Sequence, residues 1–423
     1  METSLITSTN SILSLFAIVL ITGMILGKSS SLLKLPDVVM FLLGGILIGP
    51  YFLNLVDTNV SSMGAQLLLT FGAAFILYDG GRVIRPKILN NVKVTVGMLS
   101  VVGVIITTFI VGWTAARIFY LDLEYAFLLG AVIASTDPAT LVPVFTSINL
   151  TEKVKQTVIS ESAFNDAVSA ILVFSIIAVI QNGVFSIDMS LSQLSGMIVW
   201  GAIIGALVGM VLSFAISDGK AGVLHEYASL VSILAVMISY VFSERMGGSG
   251  YMATFITGFV CGNKSGLDIF VPTKFLLVQT HVRDTLSTML RMSIFIILGT
   301  TVDFGILAMY WKQSLQIVLL LMFVVRPLTV FVCALPDRNA KWTFKEILFM
   351  CWVRETGVIP AALSGMIAAM HIPHSGIISS VVFMTILVTL VVQASTTKAL
   401  ADKLGLLGDD REQEDKYVLK KII

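Results

Sequence analysis

The sequence predicts an all-α membrane protein of about 13 transmembrane helices, built as two inverted-topology repeats with helices 5 and 12 interrupted. Three observations lead there. Apolar runs of about 20 residues recur from end to end. Lys and Arg alternate between the connections. Two of the runs carry a proline beside polar and charged residues in their middle.

The apolar runs dominate the composition. Of 423 residues, 56% are hydrophobic and only 13% charged, where a soluble domain carries about a quarter charged. The mean hydropathy is +0.94. Candidate spans fall at about 10–27, 36–54, 62–80, 94–119, 124–148, 154–181, 193–216, 225–244, 248–263, 286–307, 313–335, 345–370 and 375–397. The first opens near Ser11 with no basic residue before it, so it reads as a retained span rather than a signal peptide. Cys261, Cys333 and Cys351 lie in apolar runs without metal or disulfide spacing and read as small buried hydrophobes. A formal net charge of +1 argues against nucleic acid and acidic substrates as partners.

The basic residues set the orientation. With the N-terminus outside, the inner connections hold Lys28 and Lys34, then Arg82, Arg85, Lys87 and Lys93, then Lys153 and Lys155, Lys220, then Lys264, Lys274 and Arg283, and finally Arg338, Lys341 and Lys345. The outer connections 54–62, 181–193 and 371–375 have none, and Arg245 is the exception. The C-terminus is then cytoplasmic and the protein a multi-pass component of the plasma membrane.

Span five reads Ser135-Thr136-Asp137-Pro138 in its middle, and span twelve Arg354-Glu355-Thr356-Gly357-Val358-Ile359-Pro360. They are seven spans apart, and an odd offset reverses direction. The expected organisation is one transmembrane transporter domain over 1–404, with inverted repeats at about 10–181 and 225–397 joined by a linker helix at about 193–216. A short cytoplasmic tail follows at 405–423. Paired interrupted helices in matching positions mark a transporter binding site. Ordinary proline kinks, which membrane helices tolerate, are the alternative; the polar residues beside both prolines favour a site.

A charge within the bilayer costs about 3 kcal/mol on insertion scales, so each needs a reason. Span six carries Glu161, Ser162, Asn165 and Asp166. Four-residue spacing puts Glu161 with Asn165 and Ser162 with Asp166 on one side of a helix. Oxygen atoms clustered there suit a hard cation. Asp166, deep in its span beside a neutral amide, is the candidate ion-binding carboxylate, with Ser162, Thr136 and Asp137 as further ligands. Asp137 has a second reading, as a cap accepting backbone N–H bonds at a broken half-helix. Glu161 reads better as the partner of a buried arginine. Arg291, Arg326, Arg354 and Glu355 complete a supporting set of buried charges. Asp79, at the inner end of span three, reads as an interfacial charge.

Thr136-Asp137-Pro138 in a broken fifth helix and Asn165-Asp166 in the sixth resemble the monovalent cation:proton antiporters. Glu161-Ser162 before the Asn-Asp pair is similar to their electroneutral sodium/proton (NhaP-type) branch. So are Gly248-Ser249-Gly250-Tyr251, the stretch from Phe259 to Asn263, the stretch from Arg291 to Gly299, and Arg326-Pro327. The resemblance implies a thirteen-helix fold, a homodimer, an elevator-like movement of a core domain, and Asp166 as carrier of the ion or the proton. It also implies an arginine partner for Glu161. The family's usual arginine before the glycine of span twelve is Thr356 here. Arg354, two residues earlier and about 200° around a helix, and Arg291 are the remaining candidates.

The expected function is secondary active exchange of Na⁺ (or Li⁺) for H⁺ by alternating access, one for one, with no cofactor and no enzymatic reaction. Membrane lipid and monovalent cations are the expected partners. A K⁺/H⁺ antiporter of the same fold is the alternative, and a non-transporting membrane sensor a more distant one. A retinal pump would need a lysine within a span for its Schiff base, and every lysine lies in a connection, a tail or at a span end.

Overall fold

The computed structural model describes residues 2–33, 36–56, 63–137, 150–182, 187–218, 222–267 and 269–407. Among them the chain is helical, with one isolated β-bridge between Leu150 and Leu407. The helices are α1 (Glu2–Leu33), α2 (Asp37–Ile48), α3 (Met63–Val83), α4 (Pro86–Phe119), α5 (Leu123–Ala134), α6 (Glu152–Asn182) and α7 (Ile187–Ala215). They continue with α8 (Ala228–Arg245), α9 (Gly250–Gly262), α10 (Thr273–Thr300), α11 (Phe304–Ala334), α12 (Phe344–Trp352), α13 (Val358–Ala369) and α14 (Ser375–Leu404). Helices α1, α3, α4, α6, α7, α8, α11 and α14 contain stretches long and apolar enough to cross a membrane, and α2, α5, α9 and α13 are shorter apolar helices.

Several boundaries move from their expected places, two of them by more than ten residues. The helix expected over 286–307 is α10, which starts at Thr273, because a charged amphipathic stretch including Lys274, Arg283 and Asp284 precedes its apolar half. Span five, expected over 124–148, is helical only to Ala134; Ser135 opens an extended segment with ψ 148°. Pro138 lies outside the described residues.

Helix α7 shows how the bundle is packed. Gly201, Gly205 and Gly209 recur every fourth residue and face α9, where a Cβ on any of them would run into Ser249, Ala253 or Val260. On another face of the same helix, Val199, Ile203, Leu207 and Val211 are exposed. A soluble helix does the opposite, hiding its large apolar residues. Here small residues permit close backbone approach and large ones face outward, the arrangement that lipid favours. The other side of α9 lies equally close to α3, with Gly258 against the Tyr78 carbonyl and Gly262 against Arg82.

Helix α6 runs through the middle of the fold. Its central turns bury Thr157, Ser160, Glu161, Ser162, Asn165, Asp166 and Ser169 together. Buried polar groups in lipid must find partners inside the protein; Ser162, Asn165, Asp166 and Ser169 find them at the broken end of α5, and Glu161 finds its partner on α11. Three long helices contain π-turns, Leu99–Gly103 in α4, Leu321–Val325 in α11 and Thr389–Ala394 in α14. Ser100 in the first donates to the Glu161 carbonyl at 3.2 Å, and Gln393 in the third donates to the Trp352 carbonyl at 2.6 Å.

Candidate ion-binding site

The site begins where two helices stop. The last carbonyls of α5 and the first N–H groups of α13 have no partners within their own helices. The two breaks lie against each other and supply them reciprocally. Arg354, between α12 and α13, sends Nη2 to the carbonyls of Ile133 (2.9 Å) and Ala134 (3.0 Å) at the end of α5. Asp137, just beyond α5, accepts the Val358 N–H on Oδ2 at 3.1 Å. The Asp137 N–H donates to the Glu355 carbonyl at 2.8 Å. A cation thus sits at the negative end of one half-helix and an anion at the positive end of another, the favourable sense in both cases.

Asp137 is therefore a cap, as one of its two expected readings had it, but for α13 rather than for its own helix. Gly357 makes this possible. A Cβ there would lie on Asp137, 2.5 Å from Cγ and closer still to Cβ and Oδ2. Gly357→Ala is expected to dislodge Asp137 from Val358, lower stability by about 1–3 kcal/mol and slow transport about tenfold. Thermal unfolding in detergent and transport rates in proteoliposomes check both.

Around the end of α5, α6 supplies the acid and the clamps. Asp166 is 8% exposed. The Ser135 hydroxyl donates to Asp166 Oδ1. The Ser162 hydroxyl donates to the Thr136 carbonyl at 2.5 Å. Asn165 holds Thr136 at two points: its Oδ1 accepts the Thr136 N–H at 3.2 Å, and its Nδ2 donates to Thr136 Oγ1 at 2.8 Å. Ser162 and Asp166, four residues apart in α6, both address the broken end of α5. The result is a carboxylate, three hydroxyls and a main-chain carbonyl from two short segments, an oxygen-rich shell of the kind a hard cation takes. Thr136, Ser162, Asn165 and Asp166 are brought together. Ser135 joins them without having been singled out; its place immediately before Thr136 in the interrupted helix was the available signal.

The arginine partner of Glu161 is neither Arg354 nor Arg291. It is Arg326 of α11, which pairs with both Glu161 oxygens through Nη1 and Nη2, the second at 3.0 Å. Arg326 also donates from Nε to the Met350 carbonyl (2.9 Å) and from Nη2 to the Val353 carbonyl (3.2 Å), binding the end of α12 to α6. Both side chains are about 3% exposed. The angular argument against Arg354 assumed a helix, whereas residues 353–357 are not helical, and Arg354 turns to α5 instead. Asp79 pairs with Arg283 at 3.1 Å. Glu355 is 1% exposed, and neither carboxylate oxygen has a hydrogen-bond partner.

The family model described as "Sodium/hydrogen exchanger, transmembrane" matches residues 16–403. The chain is 31% identical over 418 residues to "Na(+)/H(+) antiporter 1" of Methanocaldococcus jannaschii, covering 92% of this chain and 94% of that one. It is 28% identical to "K(+)/H(+) antiporter NhaP2" of Shewanella oneidensis, covering 94% of this chain and 68% of that protein. Among solved structures, that of a sodium proton antiporter from Methanocaldococcus jannaschii at pH 8 superposes with a TM-score of 0.81 at 27% identity, over 94% of this chain and 99% of the other.

Proposed function

The chain belongs to the sodium/hydrogen exchanger family, and from that premise we propose that it exchanges Na⁺ (or Li⁺) for H⁺ across the membrane, with Asp166 holding each in turn. It is a multi-pass membrane protein and a cation/proton antiporter. The observation that carries the assignment of the site is the meeting of Asp166 with Ser135, Thr136 and Ser162 at the broken end of α5.

The coupling follows from charge. An ionised carboxylate is costly to carry through an apolar barrier. Either Na⁺ or H⁺ neutralises Asp166, so the loaded site moves and the empty one stays. No separate gate is needed to tie the two fluxes together. Asn165 is neutral and Asp137 is held as the cap of α13, so one carboxylate changes its occupant in each cycle. This gives one Na⁺ per H⁺ and no net charge moved. Thr136 and Ser162 contribute oxygen to Na⁺ once the Ser135 hydroxyl releases Asp166 Oδ1. Glu161 and Arg326 hold α6, α11 and α12 in register and take no part in binding.

The same reading has the repeats at about 10–181 and 225–397 related by inversion. Their interrupted helices cross, and each caps the other, which supports it. The N-terminus lies outside and the C-terminus inside the plasma membrane, as the distribution of basic residues favours. Two copies assemble as a homodimer, and the core moves as a unit against the rest.

The test uses proteoliposomes with a trapped pH dye. External Na⁺ or Li⁺ enters, H⁺ leaves, and the lumen becomes alkaline, with a rate that does not respond to an imposed membrane potential. A response to K⁺ alone would make this chain a K⁺/H⁺ antiporter, the activity named for its Shewanella relative. A rate that follows the potential would overturn one-for-one exchange, and no response to any ion would leave a sensor.

A further inference from the structure

Between α11, α12 and α14 lies a hollow of about 460 Å³ that has no task in the exchange cycle above. That volume is in the range of small-molecule sites, about 300–1,000 Å³. Its walls are apolar: Phe323 and Pro327 come from α11, Cys351 and Trp352 from α12, and Thr396 and Ala399 from α14. Cys351, Thr396 and Ala399 are small, which leaves the space. The hollow opens outward, for Phe323 on its rim is 56% exposed, and Thr396 and Ala399 are exposed too. Large apolar residues on the outer surface of this bundle face lipid, so the hollow faces acyl chains rather than water.

One end of it is basic. Lys403 lines the hollow one helical turn beyond Ala399, on the same face of α14. Lys345 of α12 lies at the same end, its Nζ 3.9 Å from where a Cβ on Gly405 would sit. Both lysines are exposed, and among the described residues neither is in an ion pair. The nearby acids do not answer them: Glu346 is taken by Lys153 at 2.8 Å, and Asp402 lies about 100° around the helix from Lys403. On the orientation proposed above, this end meets the inner leaflet, where basic pockets between spans hold anionic headgroups.

The hollow also adjoins the two breaks. Trp352 ends α12 and is held from α14: its Nε1 donates to Thr396 Oγ1 at 2.9 Å, and its carbonyl accepts Gln393 Nε2 at 2.6 Å. The non-helical stretch that carries Arg354 begins at the next residue. Pro327 follows Arg326, the partner of Glu161.

We propose that this hollow binds one anionic glycerophospholipid of the surrounding bilayer, an acyl chain in the hollow and the phosphate on Lys403 and Lys345, and that the lipid fastens α12 to α11 and α14. A zwitterionic lipid has the same chains but carries its own cation beside the phosphate, so the lysines favour the anionic kind. The site does not depend on which ion Asp166 carries.

The test is thermal unfolding of the full chain, stripped of lipid in a mild detergent, against the mole fraction of added dioleoyl phosphatidylglycerol or dioleoyl phosphatidylcholine. A ligand that binds only the folded state raises the midpoint with its concentration. Phosphatidylglycerol is expected to reach its half-maximal effect at a mole fraction about tenfold lower than phosphatidylcholine. Lys403→Gln should raise that mole fraction about fivefold, and Lys87→Gln, an exposed lysine on α4, should leave it unchanged. Ala399→Phe fills the hollow and should abolish the shift, and Ala399→Leu gives the same comparison should the larger side chain prevent purification. Equal action of the two lipids would overturn the proposal. So would a full shift with the hollow filled, equal effects of the two lysine substitutions, or a shift produced by glycerol 3-phosphate, which has no acyl chain.

Discussion

Asp166→Asn is expected to abolish Na⁺-driven proton movement, by about 100-fold or more, while leaving the fold intact. The amide has nearly the shape of the carboxylate, and Ser135 can still donate to its oxygen, so the packing around α5 and α6 survives. What disappears is the charge that Na⁺ and H⁺ compete to neutralise in the proposed cycle. A 100-fold loss corresponds to about 2.8 kcal/mol, within what a single charge-assisted contact to a buried ion supplies. Melting in detergent should not fall, because the amide can keep the Ser135 bond and the substitution removes a buried charge. A variant that melts as wild type does and still exchanges Na⁺ for H⁺ would remove Asp166 from the site.

The second large effect is on stability. Arg326→Met is expected to destabilise the protein by about 3–5 kcal/mol, because it leaves the Glu161 carboxylate buried and uncompensated. It also orphans the Met350 and Val353 carbonyls that Arg326 bonds. Glu161→Gln should cost less, since the guanidinium keeps those two carbonyls and gains the amide oxygen. The double variant should be more stable than Arg326→Met alone by about 1 kcal/mol or more, as the stranded charge is gone. It should not return to wild type, because the two carbonyls stay unpaired. Thermal unfolding of the four proteins in one detergent measures the cycle, and simple additivity of the two substitutions would mean that the pair is not coupled.

These two residues show how differently a site yields to sequence reading. Asp166 was legible because its cost is local. Any acid in the middle of a span needs a reason, and the four-residue spacing to Ser162 placed a second oxygen on the same side of the helix without knowledge of any other helix. The partner of Glu161 was not legible, because it lies 165 residues away on α11. Arg291, Arg326 and Arg354 all offered the charge that Glu161 needs. Arg354 was the harder case: its direction was judged on helical geometry, and the chain is not helical there. Ser135 was missed for a related reason. It was seen as part of a motif, but in an extended segment the direction of each side chain depends on where the segment leads.

The sequence by itself determined the class of the protein, the positions of most helices and the two interruptions, and it singled out the acid proposed for their centre. Each of these follows from the energy of a residue in lipid or from a spacing along one helix, and both can be read from a single stretch of chain. Only the tertiary structure decided which break caps which. Asp137 serves α13 and Arg354 serves α5, so each half-helix is completed by a residue from the other half of the molecule. The packing that brings those ends together engages Arg354 Nη2 and leaves the Glu355 carboxylate buried without a hydrogen-bond partner. Polar groups at a helix end must be satisfied, but lipid and covalent geometry say only that a partner exists, and its identity depends on how distant helices pack.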